Sequence, residues 1–190
     1  MTETTVVSGG IVAHRQKVRE EGQAETFSIV VNEFENVSAR SRLSFSWSIV
    51  PANFSAAETL LIVQCDSDDL VLHIEEVEME SDASSLVQIH LTNRADITLA
   101  GGTLVTGVCL NQTAPRVAPA LARSNDTVNV QGNIIWQHEV IADTPNLVEL
   151  HGAVLLAKGQ SIAVDVTTGS TAIASCTIFG SFAIPDEQRV

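Results

Sequence analysis

LSFSWSIV, residues 43 to 50, is the stretch on which the reading of the whole chain turns. In an extended backbone Leu43, Phe45, Trp47 and Ile49 fall on one side and Ser44, Ser46 and Ser48 on the other, because successive side chains of a strand point to opposite faces. That alternation predicts a strand with one face on a core and the other turned outward.

The same period of two recurs on both sides of this segment. It predicts further strands at residues 26–34, 59–65, 70–79, 85–92, 102–110, 133–141, 147–156, 161–167 and 173–184. Turn-forming clusters separate them, SDD at 67–69, SDASS at 81–85, AGG at 100–102 and AKGQ at 157–160, where short polar side chains and glycine suit a reversal. AKGQ is expected to be a hairpin loop with Gly159 at positive φ, joining two nearly continuous apolar strands. A long Pro-containing link at 111–129 suits a connection between sheets, with room for one helical turn at 114–123. Eight to ten strands at this spacing imply an all-β fold, an antiparallel β-sandwich of jelly-roll type.

The first 23 residues lack a sustained apolar period, contain Gly9, Gly10 and Gly22, and mix charges in HRQKVREE. They are expected to form an extended N-terminal arm, with a short helix at 12–21 as the alternative, and residues 24–190 the jelly-roll domain. A chain of 190 residues with 45% apolar content can fill one core.

Charge narrows the partners. Twenty-three acidic against ten basic residues give a formal charge of −13, which repels phosphates and anionic lipid headgroups, so neither nucleic acid nor membrane is an expected partner. The imbalance is local, with nine acids and no Lys or Arg between Ser55 and Asp82, while Arg15, Lys17, Arg19, Arg40 and Arg42 lie in the first 42 residues. Cys65, Cys109 and Cys176 sit among apolar neighbours at long spacings, as buried thiols in a reducing compartment would. With no signal peptide and no membrane-length apolar run, synthesis in a cytoplasm as a soluble protein is expected.

The chemistry of enzymes is hard to place here. His14, His73, His90, His138 and His151 are isolated, and the H-x-H pair of cupin-type metal sites is absent. His73 and His90 would approach each other only if their strands paired. CDSDD at 65–69 lacks calcium-loop spacing. There is no G-x-S-x-G elbow and no phosphate-cradling glycine loop, and Cys176 lies within a strand. Asp165, between valines in AVDVTT, is expected to face solvent or to be hydrogen-bonded at an interface. No catalytic residue, metal or cofactor is expected.

Two segments carry a family resemblance: SFSWSIVPANFSAAETLLIVQCDSDDLVLHIEEVEMES at 44–81 and GAVLLAKGQSIAVDVTTGSTAIASCTIFGSFAIP at 152–185. In the order of their strands and turns, roughly residues 40–185 resemble capsid-associated cement or decoration proteins of tailed bacteriophages, which have a jelly-roll domain. The resemblance implies a non-catalytic virion protein made in the host cytoplasm. It would be a homotrimer that binds the major capsid protein on the outer surface of the head and stabilises contacts between capsomers. Arg15, Lys17 and Arg19 on the arm, with Arg40 and Arg42 at the domain edge, would then be the capsid contacts. A head-fibre or tail component, a major coat protein and a carbohydrate-binding jelly-roll module are the competing readings.

Overall fold

The computed structural model of the chain describes residues 3–8, 12–18, 24–30, 43–54, 57–92, 102–111, 115–126, 132–168 and 172–184. These residues form fifteen strands and no helix. The first three, β1 (Glu3–Ser8), β2 (Val12–Val18) and β3 (Ala24–Val30), make an antiparallel meander and, among the described residues, pair only with one another. Residues 12–18 are therefore a strand, not the helix offered as an alternative. The sheet continues past residue 23, since Ala24–Val30 pairs with β2.

The other twelve strands build two six-stranded antiparallel sheets. They are β4 (Ser44–Ser48), β5 (Ala52–Phe54), β6 (Ala57–Cys65), β7 (Val71–Ser81), β8 (Ser85–Thr92), β9 (Thr103–Leu104), β10 (Val108–Cys109), β11 (Ala120–Asp126), β12 (Asn133–Val140), β13 (Asn146–Leu156), β14 (Ser161–Thr168) and β15 (Ala172–Ala183). One sheet runs β10-β4-β15-β7-β13, with β5 also on β15, and the other runs β12-β8-β14-β6-β11-β9. We call them the first and second sheets. They pack face to face as a β-sandwich: Phe45, Trp47 and Ile49, expected on the inward face, are buried in one core with Ile74, Val77, Ile162, Val164, Ile178 and Phe182, and Leu43, expected beside them, is partly buried against it.

The pairing has a nested order. β4 pairs with β15, β6 with β14, β7 with β13 and β8 with β12, so early and late strands meet from the outside inward. Consecutive long strands mostly change sheets. AKGQ is accordingly not a hairpin loop, because β13 lies in the first sheet and β14 in the second. Gly159 does take positive φ, 78°, but the turn is a corner between layers. The end of β6 anchors it: the Gly159 amide donates to the Cys65 carbonyl at 2.8 Å, and the Gln64 side chain donates to the Gly159 carbonyl at 3.0 Å. Lys158 reaches Asp68 at 2.8 Å, with both side chains largely exposed. An exposed pair of this kind contributes little, so Lys158→Met should leave the urea midpoint unchanged within error.

Two further expectations differ. Residues 120–126, placed in a link with a helical turn, form β11 and extend the second sheet beside β6. The 102–110 strand is two short strands, β9 and β10, in different sheets.

Candidate functional site

The cations named as partner contacts are placed only in part. Arg15 and Lys17 lie on β2, where Lys17 is in register with Glu3 on one side and Glu25 on the other, and Arg15 with Thr5 and Phe27. Arg19, Arg40 and Arg42 lie outside the described residues. The described chain thus brings only Arg15 and Lys17 together, two positions apart on one strand.

Topology exposes a different surface. Among the described residues β12 and β13 are the last strands of their sheets, and the five-residue connection at 141–145 places both on one flank of the sandwich. β12, NIIWQHEV, carries no Lys, Arg or Pro and a single acid, Glu139. Soluble proteins usually protect an edge strand with such residues. Here the register of β12 shifts between Ile134 and Trp136, and Ile134, Ile135, Ile141, Leu147 and Leu155 are all at least 40% exposed along the flank. Trp136 is half-buried against the core and holds the edge in place. Alternation identified the strands but could not show which would be terminal, so this flank was not foreseen.

On the outward side of the first sheet, β7 places Glu76, Glu78 and Glu80 in a row, with Glu149 of β13 opposite Glu76. Glu75 is the extra residue of a bulge there and is buried, accepting a hydrogen bond from the Ser181 hydroxyl at 3.0 Å. β13 makes its own detour opposite, through His151 at φ 49° and Gly152 at φ 69°. A Cβ at Gly152 would lie 3.3 Å from Glu75 Oε2, so the detour closes over the carboxyl.

The second sheet carries a buried ionisable pair on its outward side. His90 Nε2 and Asp165 Oδ2 are 3.3 Å apart, with side chains 9% and 19% exposed. Asp165 therefore does not face open solvent. Burial raises its pKa above the usual carboxylate value, an effect the Thr59 hydroxyl and His90 partly offset. His73 is not part of this site, because β7 and β8 belong to different sheets.

A shallow groove of about 300 Å³ lies at one end of the sandwich, between Ile49, Val50 and Phe54 on one side and Thr103–Thr106 and Ser124 on the other. Its lining is apolar and hydroxyl-bearing and contains no ionisable side chain. Among the described residues, no group of three or more His, Cys, Asp or Glu side chains could hold a metal ion. No helix there is long and apolar enough to cross a membrane.

Cys65, Cys109 and Cys176 are free and buried. Burial pushes the Cys176 thiol far up, helped by the charge of Glu78, and burial likewise raises Cys65. The thiolate is the reactive form, so Ellman's reagent should titrate Cys65 and Cys176 only after denaturant is added. Prompt labelling of either in the native protein would contradict the packing described.

No family model, no curated protein and no solved structure matches this chain.

Proposed function

We propose that this chain is a non-catalytic assembly subunit of a virion, a cement or decoration protein on the outer surface of a phage head. The observation that carries the reading is the set of exposed apolar side chains along the flank of β12 and β13, which suits a surface covered by another subunit. The nested pairing of β4 with β15, β6 with β14, β7 with β13 and β8 with β12 supports a jelly roll, a long antiparallel hairpin rolled into two layers. A jelly roll hosts many functions, so the flank and the sequence resemblance supply the functional content.

The proposed partners are further copies of the chain, in a homotrimer, and the major capsid protein. The acidic body suits an outward position, away from packaged nucleic acid. The cations of the first 42 residues, Arg15, Lys17, Arg19, Arg40 and Arg42, are the proposed capsid contacts.

Sedimentation equilibrium of the full chain tests the assembly half of the proposal. Three times the 20.3 kDa chain mass is expected, and the double substitution Ile134→Lys, Ile135→Lys should shift the protein to monomer with its circular dichroism unchanged. Both positions are exposed, so the fold should tolerate the change. A monomeric wild-type protein would defeat the assembly reading.

A further inference from the structure

The centre of the outward face of the second sheet is buried, although its edges are exposed. Val87 and Ile89 of β8 and Ile162, Val164 and Val166 of β14 point into the core, which puts His90, Ala163 and Asp165 on the opposite side of the same strands. Ile62, Ala163 and Ser161 on that side are nevertheless 0% exposed. Two rows cross it in register. One runs Ile134, His90, Ala163, Ile62 and Arg123, and the other Gln137, Gln88, Asp165, Thr59 and Asp126.

His90 and Asp165 meet diagonally between these rows. Neither ring nitrogen of His90 has a fully formed hydrogen bond, and Asp165 Oδ1 and the Ser161 hydroxyl are also without partners. A buried polar atom left unpaired is costly, and a buried unpaired charge more so. Among the described residues, the remaining polar groups on the face are few. β8 adds Gln88 and Thr92, β14 adds Ser161, and β6 adds Thr59 and Gln64. On β12, Gln137 is held by Gln88 at 2.6 Å, and Glu139 lies at the level of Leu86. On β11, Arg123 donates to the Gly102 carbonyl at 3.1 Å, and Asp126 occupies the register position opposite Thr59. Among the described residues, His90 is the one basic side chain in contact with Asp165.

We propose that the His90–Asp165 pair is a proton-operated latch on this face, tight when the pair holds a proton and loosened when it gives that proton up. With one proton shared, the pair is either neutral or an internally compensated ion pair. Without it, the face holds an uncompensated, largely buried carboxylate in a molecule whose formal charge, that carboxylate included, is −13. The raised pKa of Asp165 fits this ordering. The inference is independent of the assembly proposal, because it concerns folding free energy and needs no partner.

The sign follows from linkage. A carboxyl whose folded pKa lies above its unfolded value, about 3.9, binds a proton more tightly when folded. Its contribution is full below about pH 4 and is lost as pH rises through the folded value. Asp165→Asn removes that dependence and the cost of burying the charge. His90→Gln removes the group that partly offsets the shift, so the loss should become larger at neutral pH.

Urea midpoints of the full chain, its Asp165→Asn variant and its His90→Gln variant, measured from about pH 4 to about pH 8, test the latch. The Asn variant also serves as the baseline for every other acidic group. Relative to it, the wild-type midpoint should fall as pH rises, and that of His90→Gln should fall further. Parallel profiles for wild type and Asp165→Asn overturn the proposal. A carbon-13 titration of the Asp165 carboxyl in the wild-type protein decides the matter even if a variant fails to fold. Titration at or below about 3.9 overturns the latch, and titration above it supports it.

Discussion

Trp47→Ala is expected to remove about 3–5 kcal/mol of folding free energy, lowering the thermal midpoint by roughly 6–20 °C for a domain of this size. Trp47 is 0% exposed on β4, a strand of only five residues held between β10 and β15. Its ring lies 6.1 Å from that of Phe45, which in turn meets Phe182 edge-on at 5.7 Å. Removing the indole opens a cavity that these rings cannot refill without leaving their strand positions. The indole N–H also lies close to Gly107 without a hydrogen-bond partner, and a Cβ on Gly107 would come within 2.5 Å of it. Trp47→Phe keeps most of the ring and removes the unpaired N–H, so it should cost much less than Trp47→Ala. Thermal unfolding of the two variants makes the comparison, and equal losses would show that ring volume is not what holds β4.

Gly180→Leu should be comparably severe for the opposite reason. Gly180 sits on β15 where its register against β7 shifts at the Glu75 bulge, between the two most central strands of the first sheet. A Cβ there would stand 2.7 Å from the His73 carbonyl oxygen, 3.0 Å from a Leu72 methyl and 3.4 Å from the Trp47 ring. The first of these is backbone within a paired strand and cannot step aside. Overpacking typically costs about 1–3 kcal/mol, and Leu should reach or exceed the upper end because the side chain has nowhere to go. Equilibrium urea unfolding checks it. Gly180→Ala should show a smaller loss in the same direction, and a neutral Gly180→Leu would contradict the close approach of β15 to β7.

Much of the architecture was legible because alternation is a local signal. LSFSWSIV, SLVQIHLT and SIAVDVTT each declare an inward face by their own residues, and residues 85–92 form a strand with the limits that the pattern implies. Pairing was less legible, since period two identifies faces but not neighbours. AKGQ looks the same whether the next strand returns beside the last or crosses to the other layer. The corner is revealed by the two sheets to which β13 and β14 belong, and by bonds from the turn to Gln64 and Cys65, about ninety residues away in sequence. Residues 120–126, ALARSND, escaped notice because Ala, Asn and Asp carry weak strand preference, and the segment is a strand because β6 pairs with it.

The candidate sites show the same division. The exposed flank depends on which strands end each sheet, a global property. The His90–Asp165 contact joins residues 75 positions apart that sit diagonally across β8 and β14, and only register brings them together. One local hint existed, an acid flanked by valines in AVDVTT, but the pattern suggested a carboxylate facing solvent or hydrogen-bonded at an interface and gave no sign of His90.

Electron cryo-microscopy of phage heads before and after addition of the purified full chain tests the assembly proposal most directly. Added two-layered β density on the outside of the shell, at junctions between capsomers and in groups of three, is the expected result. Heads that gain no density at saturating protein, or density confined to the interior or the tail, would contradict it.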